Sequence, residues 1–337
     1  MKGVFSIKKN SATCFLGVLL IICSAASLFV GATDIPVDML LDPAGTMEWK
    51  IFLLARIPRL LAILCTGFGM SVAGLIMQQL CMNRFVSPTT GATIQSAQFG
   101  ILLALVFAPG LGVWGRVMMA FAMAILGTWV FIWFVQRIRV KNTTLVPLIG
   151  IMFGNILGGV TSFLAYKYEL TQQLSTYLVG SFALIIKGNY ELVYLVLPLI
   201  IVAFAFSHHF NIVGMGRDFS GNLGVRYDRV LFLGLTIASM ITASIVTIVG
   251  QISYIGLILP NIVALIKGDR LRGTLLDTAL LGGLFVLISD LVARSVIRPF
   301  ELPVELITGV LGSILFLGML VYKLHPGGFR RAETKKN

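Results

Sequence analysis

Asp290 and Arg294 stand four residues apart in an otherwise apolar stretch. On a helix that spacing puts them on one face, where they can pair. Pairing avoids the cost of a lone charge in hydrocarbon. It neutralises charge and is no sign of catalysis. Other reactive residue types are sparse. Cys14, Cys23, Cys65 and Cys81 lie in apolar segments without a CxxC pair, so neither a disulfide framework nor a metal site is expected. His208 and His209 follow an apolar run and His325 lies in the tail, which does not build a three-histidine site. No lysine precedes Ser or Thr, so the phosphate-binding GxxxxGK[ST] loop cannot occur. No chain of acids and histidines runs through the apolar stretches, as a proton-coupled carrier usually needs. The expectation is a chain without catalytic residues, cofactor or metal. If it moves something actively, the energy comes from a partner.

The elements that hold these residues are set by hydropathy. Of the 337 residues, 57% are hydrophobic and 12% charged, with a mean hydropathy of +0.94. A soluble domain carries about twice that charged fraction. Apolar runs recur along the chain at the length of about 20 residues that crosses a bilayer. Ten spans are read, at 12–31, 60–81, 89–108, 112–136, 144–166, 190–207, 230–249, 251–267, 275–297 and 302–323, the eighth interrupted by Gly250, Gly256 and Pro260. The basic, then apolar N-terminus resembles a signal peptide, but the run from Ser11 to Gly31 exceeds a signal core and is read as a retained span. Ile22 before Cys23 makes a poor lipidation site. With the N-terminus in the cytoplasm, 18 of the 26 basic residues fall inside and seven of the 14 acids outside. That is the positive-inside pattern with both termini cytoplasmic, and it accounts for the net charge of +12 without nucleic acid. The whole of 1–337 is thus read as one all-α, multi-pass membrane domain surrounded by lipid.

Two loops exceed plain connectors. The outer one, Lys167 to Tyr190, is either an interfacial helix or a solvated link. The inner one, about 208–229, has a helix-sized stretch from Asp218 to Val225 flanked by glycines and arginines. It is the natural contact for a partner. Small residues within the spans, among them the GxxxG of Gly154 and Gly158, allow close helix packing.

Four blocks in order carry a family resemblance. Arg56-Ile57-Pro58-Arg59 is followed by Gly74-Leu75-Ile76-Met77-Gln78 and by Asn83 to Pro88. Gly216 to Val225 reads GRDFSGNLGV, and Gly250 to Pro260 reads GQISYIGLILP. Ser289 to Arg294 reads SDLVAR, with Glu301-Leu302-Pro303 beyond it. Together they resemble the FecCD/vitamin B12-type permeases of ABC importers. The resemblance implies a type II importer permease fold of ten helices. It implies a second permease subunit, the same or a related chain, two ATP-binding-cassette subunits and an extracytoplasmic binding protein, in the bacterial cytoplasmic membrane. It implies docking of the binding protein at Arg56, Arg59 and Arg294, with Arg298 close by. It implies ATPase coupling through Gly216, Arg217, Asp218, Ser220, Leu223 and Gly224. A cytoplasmic gate is implied at Asn83, Phe85, Thr143 and Thr144. The chain departs from the family where Arg84, Asn261 and Ile314 replace a common proline, histidine and proline. Asn83 to Thr90 resembles the branch that imports ferric siderophores of catecholate type. Haem or cobalamin import is the alternative within the family, and an ATP-independent secondary carrier is the alternative outside it.

Overall fold

The computed structural model describes residues 2–31, 47–138, 145–268, 271–297 and 300–324. They form thirteen α-helices: α1 (Lys2–Phe29), α2 (Met47–Ile51), α3 (Ile57–Leu80), α4 (Thr93–Phe107), α5 (Val113–Ile138), α6 (Leu145–Lys167), α7 (Thr171–Thr176), α8 (Val196–Val213), α9 (Arg217–Asn222), α10 (Tyr227–Val249), α11 (Ile255–Lys267), α12 (Leu271–Ser295) and α13 (Val304–Leu324). Ten are long, one for each expected span. Eight of these are long and apolar enough to cross a membrane by themselves. The other two, α4 and α11, have 15 and 13 residues. Each is entered through irregular backbone, the Pro88–Gly91 turn before α4 and the Gly250–Tyr254 segment before α11. Such backbone is tolerated at membrane depth only inside protein. Ala92, Thr93, Ile252 and Ile255 are accordingly buried. Between Lys167 and Tyr190 only the six-residue α7 follows as an α-helix, shorter than an interfacial helix would be.

Successive long helices run in opposite directions, giving the bundle an Arg59 end and an Asn83 end. Helix α3 is central, with α8, α10, α11 and α12 packed around it. Lipid offers no hydrophobic force between helices, so close approach of small residues does the work. A methyl group on Gly67 would lie 2.5 Å from the Gly282 carbonyl oxygen and 2.6 Å from the Gly283 Cα. One on Gly74 would run into the Gly256 carbonyl. Helix α4 packs on α5 and α6, and there the Gln95 amide lies 3.1 Å from where a Gly154 Cβ would sit. The GxxxG is thus a slot for a side chain of a neighbouring helix.

Two prolines break the backbone ladder, and each break is repaired from elsewhere. Pro58 has no N–H for the carbonyl of Leu54, four residues back. The chain widens into a π turn at Phe52–Arg56, and Lys187 of the outer loop donates its N–H to Leu54 O at 2.9 Å. Pro260 likewise leaves the Gly256 carbonyl without its helical donor. Gln78 of α3 reaches across and donates Nε2 to Gly256 O at 3.1 Å and to Leu257 O at 3.0 Å.

Candidate functional site

At the Arg59 end the expected Asp290–Arg294 pair forms, with Arg294 Nη2 2.7 Å from Asp290 Oδ2. Arg59 joins the same carboxylate, its Nη2 2.7 Å from Asp290 Oδ1 and its Nη1 2.7 Å from Glu301 Oε2. Arg294 also donates to Ser27 Oγ at 2.6 Å and to the Val30 carbonyl at 2.6 Å. Arg56 donates to that Val30 carbonyl as well. The cluster therefore joins α1, α3, α12 and the segment before α13. The three arginines for which the resemblance implies docking are thus drawn into one cluster. The Arg59 and Arg294 side chains are only 12% and 1% exposed, and Arg56 is buried. Asp290, buried near the C-terminal end of α12, holds both guanidinium heads inward. Arg298 lies outside the described residues. Glu301 is the most open member of the ion-paired set, at 21%.

At the Asn83 end, α9 stands between Gly216 (φ 106°) and Gly224 (φ 73°). Both turns use the left-handed region that glycine enters without a Cβ penalty. Ser220, fully buried, donates its hydroxyl to Gly216 O at 2.7 Å and Ile212 O at 3.1 Å, fastening α9 to the end of α8. Arg217 pairs with Asp228 at 2.6 Å and lies 4.9 Å from the Tyr227 ring centroid, fastening α9 to α10. Asp218 sits in the first turn, where the helix dipole favours an acid. Phe219 and Leu223, one turn apart on α9 and its C-cap, and Met215 just before Gly216 are exposed apolar side chains. They give the fastened α9 an exposed apolar ridge.

Beside it a cleft of about 290 Å³ is lined by Gln78, Gln79, Asn83, Arg84, Gly214 and Asn261 among others. Asn83 Oδ1 accepts the N–H of Phe85 at 2.9 Å, shaping the hairpin after α3, and the exposed Phe85 ring meets Phe316 edge-on at 6.2 Å. Asn261, where the family often has histidine, donates Nδ2 to Arg84 O and Leu257 O, both at 2.7 Å. It ties the hairpin to α11. Thr143 and Thr144 lie outside the described residues.

Sequence reasoning missed one polar centre. Lys267 Nζ is 2.6 Å from Asp277 Oδ2, and Thr13 Oγ1 donates to Asp277 Oδ1 at 2.6 Å. Lys267 closes α11 and Asp277 stands in the second turn of α12, 10 residues later. That short separation in sequence was the available signal. Between this centre and the arginine cluster, α1 is held at Thr13 and at Ser27.

Helix α6 shows two chemistries on its outward side. At about 100° per residue, Met152, Asn155, Gly159, Ser162 and Tyr166 lie on one flank and Ile156, Val160 and Phe163 on the other; all are exposed. The second flank suits lipid. The first carries hydrogen-bonding groups that lipid cannot satisfy.

The profile of the FecCD transport family matches residues 19–323. The petrobactin import system permease protein YclN of Bacillus subtilis is 42% identical over 308 residues, 91% of this chain and 97% of that protein. The ferric-anguibactin transport system permease protein FatD of Vibrio anguillarum is 36% identical over 88% of this chain and 94% of its own length. Among solved structures, a metal-chelate type ABC transporter in an inward-facing conformation superposes with a TM-score of 0.78 at 26% identity, covering 94% of this chain and 100% of that one. The motif blocks, the ten-helix bundle and these matches agree, and the chain belongs to the FecCD transport family.

Proposed function

We propose that this chain is the transmembrane permease subunit of an ATP-driven importer that carries a ferric siderophore, of the catecholate-bearing kind, across the bacterial cytoplasmic membrane. The observation that carries the reading is α9. It is an exposed apolar ridge on a rigid mount, in a chain without a nucleotide-binding loop. An ATPase subunit is the partner that such a ridge fits. The substrate class follows from the relatives, two of which are named for petrobactin and anguibactin import. Both termini lie in the cytoplasm, which the basic residues of the Asn83 end support.

Two permease subunits, this chain twice or with a related one, meet two ATPases and an extracytoplasmic binding protein. Closure of the ATPases on ATP moves α9, and the bundle alternates its facing. The polar flank of α6 faces the substrate's path and the apolar flank faces lipid. The gate comprises Asn83 and Phe85 with Thr143 and Thr144. Docking of the binding protein uses Arg59, with Arg56, Arg294 and Arg298 shaping the same mouth. An acidic side chain of the binding protein takes the place of Glu301 on the Arg59 guanidinium.

The test is reconstitution of the complete transporter in liposomes, with uptake of ferric petrobactin measured against ATP, haem and cobalamin. ATP-dependent iron uptake that neither haem nor cobalamin replaces is the expected result. Uptake without ATP would establish a secondary carrier instead, and uptake of haem or cobalamin in place of iron would move the substrate class.

A further inference from the structure

The coupling element and the gate hairpin belong to different helices, and the structure brings them to one contact. Gly214 ends α8 three residues before α9. Its backbone is ordinary for an L residue, with φ −65° and ψ −7°. A Cβ there would meet the Gln79 side chain of α3, first its terminal Nε2 and then its Cδ and Cγ at 2.9 Å and 3.0 Å, so Gln79 would have to shift. Gln79 is followed at once by the hairpin. Its own carbonyl accepts the Met82 N–H at 3.3 Å, and the neighbouring Gln78 carbonyl accepts the Asn83 N–H at 3.1 Å. Met82 is held at φ 50°, a left-handed conformation that a non-glycine residue adopts only under constraint. The hairpin is tethered on its far side by Asn261. The cleft lies between these two attachments and gives the hairpin room to shift.

We propose that Gln79 is the positioning residue through which displacement of α9 reaches the Asn83–Phe85 hairpin. The inference rests on reading α9 as the coupling element. Ser220 makes α9 and the end of α8 move as one body. That body carries the bare Gly214 backbone against the Gln79 side chain. Gln79 has only to be bulky there, because the contact is one of packing. A shift of the mount toward α3 pushes Gln79, and Gln79 levers the turn that begins two residues later.

The experiment uses the complete transporter in liposomes and measures ATP hydrolysed and iron taken up in the same vesicles. Gln79→Ala is expected to leave basal ATP hydrolysis intact and to lower iron imported per ATP by roughly tenfold, within the span of coupling energies carried by single contacts. Gln79→Met, which keeps the bulk and loses the amide, is expected to retain the wild-type ratio. Gly214→Ala is expected to impair the ratio by crowding Gln79. Combining it with Gln79→Ala is expected to recover part of the loss, since the new methyl group refills the space. That non-additivity is a result that general loss of stability does not produce. A wild-type ratio in Gln79→Ala, or strict additivity in the double variant, would overturn the inference while the importer reading stands. Absence of ATP-driven uptake by the wild-type assembly would instead overturn the importer reading, and the inference with it.

Discussion

Gln78 shows how a single side chain can stand in for a backbone group. Pro260 removes the N–H that would reach the Gly256 carbonyl, and bulk water is not available to replace it. The Gln78 amide supplies the donor and holds α11 against α3 at the glycine crossing. Gln78→Leu keeps the volume but orphans Gly256 O, a loss of about 1–3 kcal/mol for an unsatisfied buried acceptor. The expected outcome is a lower unfolding temperature in detergent, whereas Gln78→Asn, too short to bridge, should fall close to Gln78→Leu. The ion cluster is governed by the same reasoning with larger stakes. Asp290 holds two guanidinium groups, so Asp290→Ala leaves both without their buried counter-charge, at a cost of about 3–5 kcal/mol. Glu301 is partly open to solvent, and Glu301→Gln should cost little stability. By freeing one face of Arg59 it should tighten capture of the binding protein, measured with the permease in nanodiscs. Unchanged capture would refute the exchange of Glu301 for an acid of the binding protein. Asp290–Arg294 was legible because it is a local i, i+4 pair. Arg59 and Glu301 were not legible as its partners, because they come from 231 residues earlier and from beyond the helix end. Sequence spacing carries no information about such contacts.

At the scale of the helix, α1 and α6 use polar groups in opposite ways. Helix α1 turns most of its apolar surface outward and is fastened by Ser27 and Val30 at its C-terminal end and by Thr13 near its middle. Thr13→Val removes a hydrogen bond to Asp277 while keeping the shape. Its expected effect is modest, about 1 kcal/mol in thermal stability, as for interhelical hydrogen bonds in membranes generally. Helix α6 leaves its polar flank unpaired. Cysteines placed at Asn155 and Ser162, with the four native cysteines replaced, should react with a membrane-impermeant thiol reagent, and bound ferric siderophore should slow that reaction. Cysteines at Ile156 and Val160 should stay unreactive. Equal reactivity of both flanks would dismiss the partition. The helices themselves were readable from hydropathy because lipid forces every spanning segment to satisfy its own backbone. Their ends shifted where a proline or an irregular entry intervenes, and another segment repairs the backbone at Pro58 and before α11. Such repairs depend on tertiary neighbours.

For the whole molecule, the question is how one bundle transmits work between its two faces. The chain is stiff where α3 crosses α12 and α11 through bare glycine backbones, and clasped at the Arg59 end by charges. The Asn83 end instead has a cleft, a left-handed turn at Met82 and a hairpin tied to α11 by Asn261. Motion driven from α9 is therefore absorbed at that end first. In the proposed mechanism the exposed side chains of Met215, Phe219 and Leu223 are the surface through which it enters. Leu223→Glu puts a charge into a site that fits only apolar groups, while leaving the Arg217–Asp228 and Ser220 fastenings untouched. The permease should still fold, shown by an unchanged unfolding temperature, and should still capture the binding protein at the far end. Association with the ATPase subunit should weaken by a factor of ten or more, as for loss of a central apolar anchor, and iron uptake should fall with it. A variant that bound the ATPase normally and transported normally would show that the ridge is not the point of entry. The rigid core would then have to receive its displacement elsewhere on the Asn83 end.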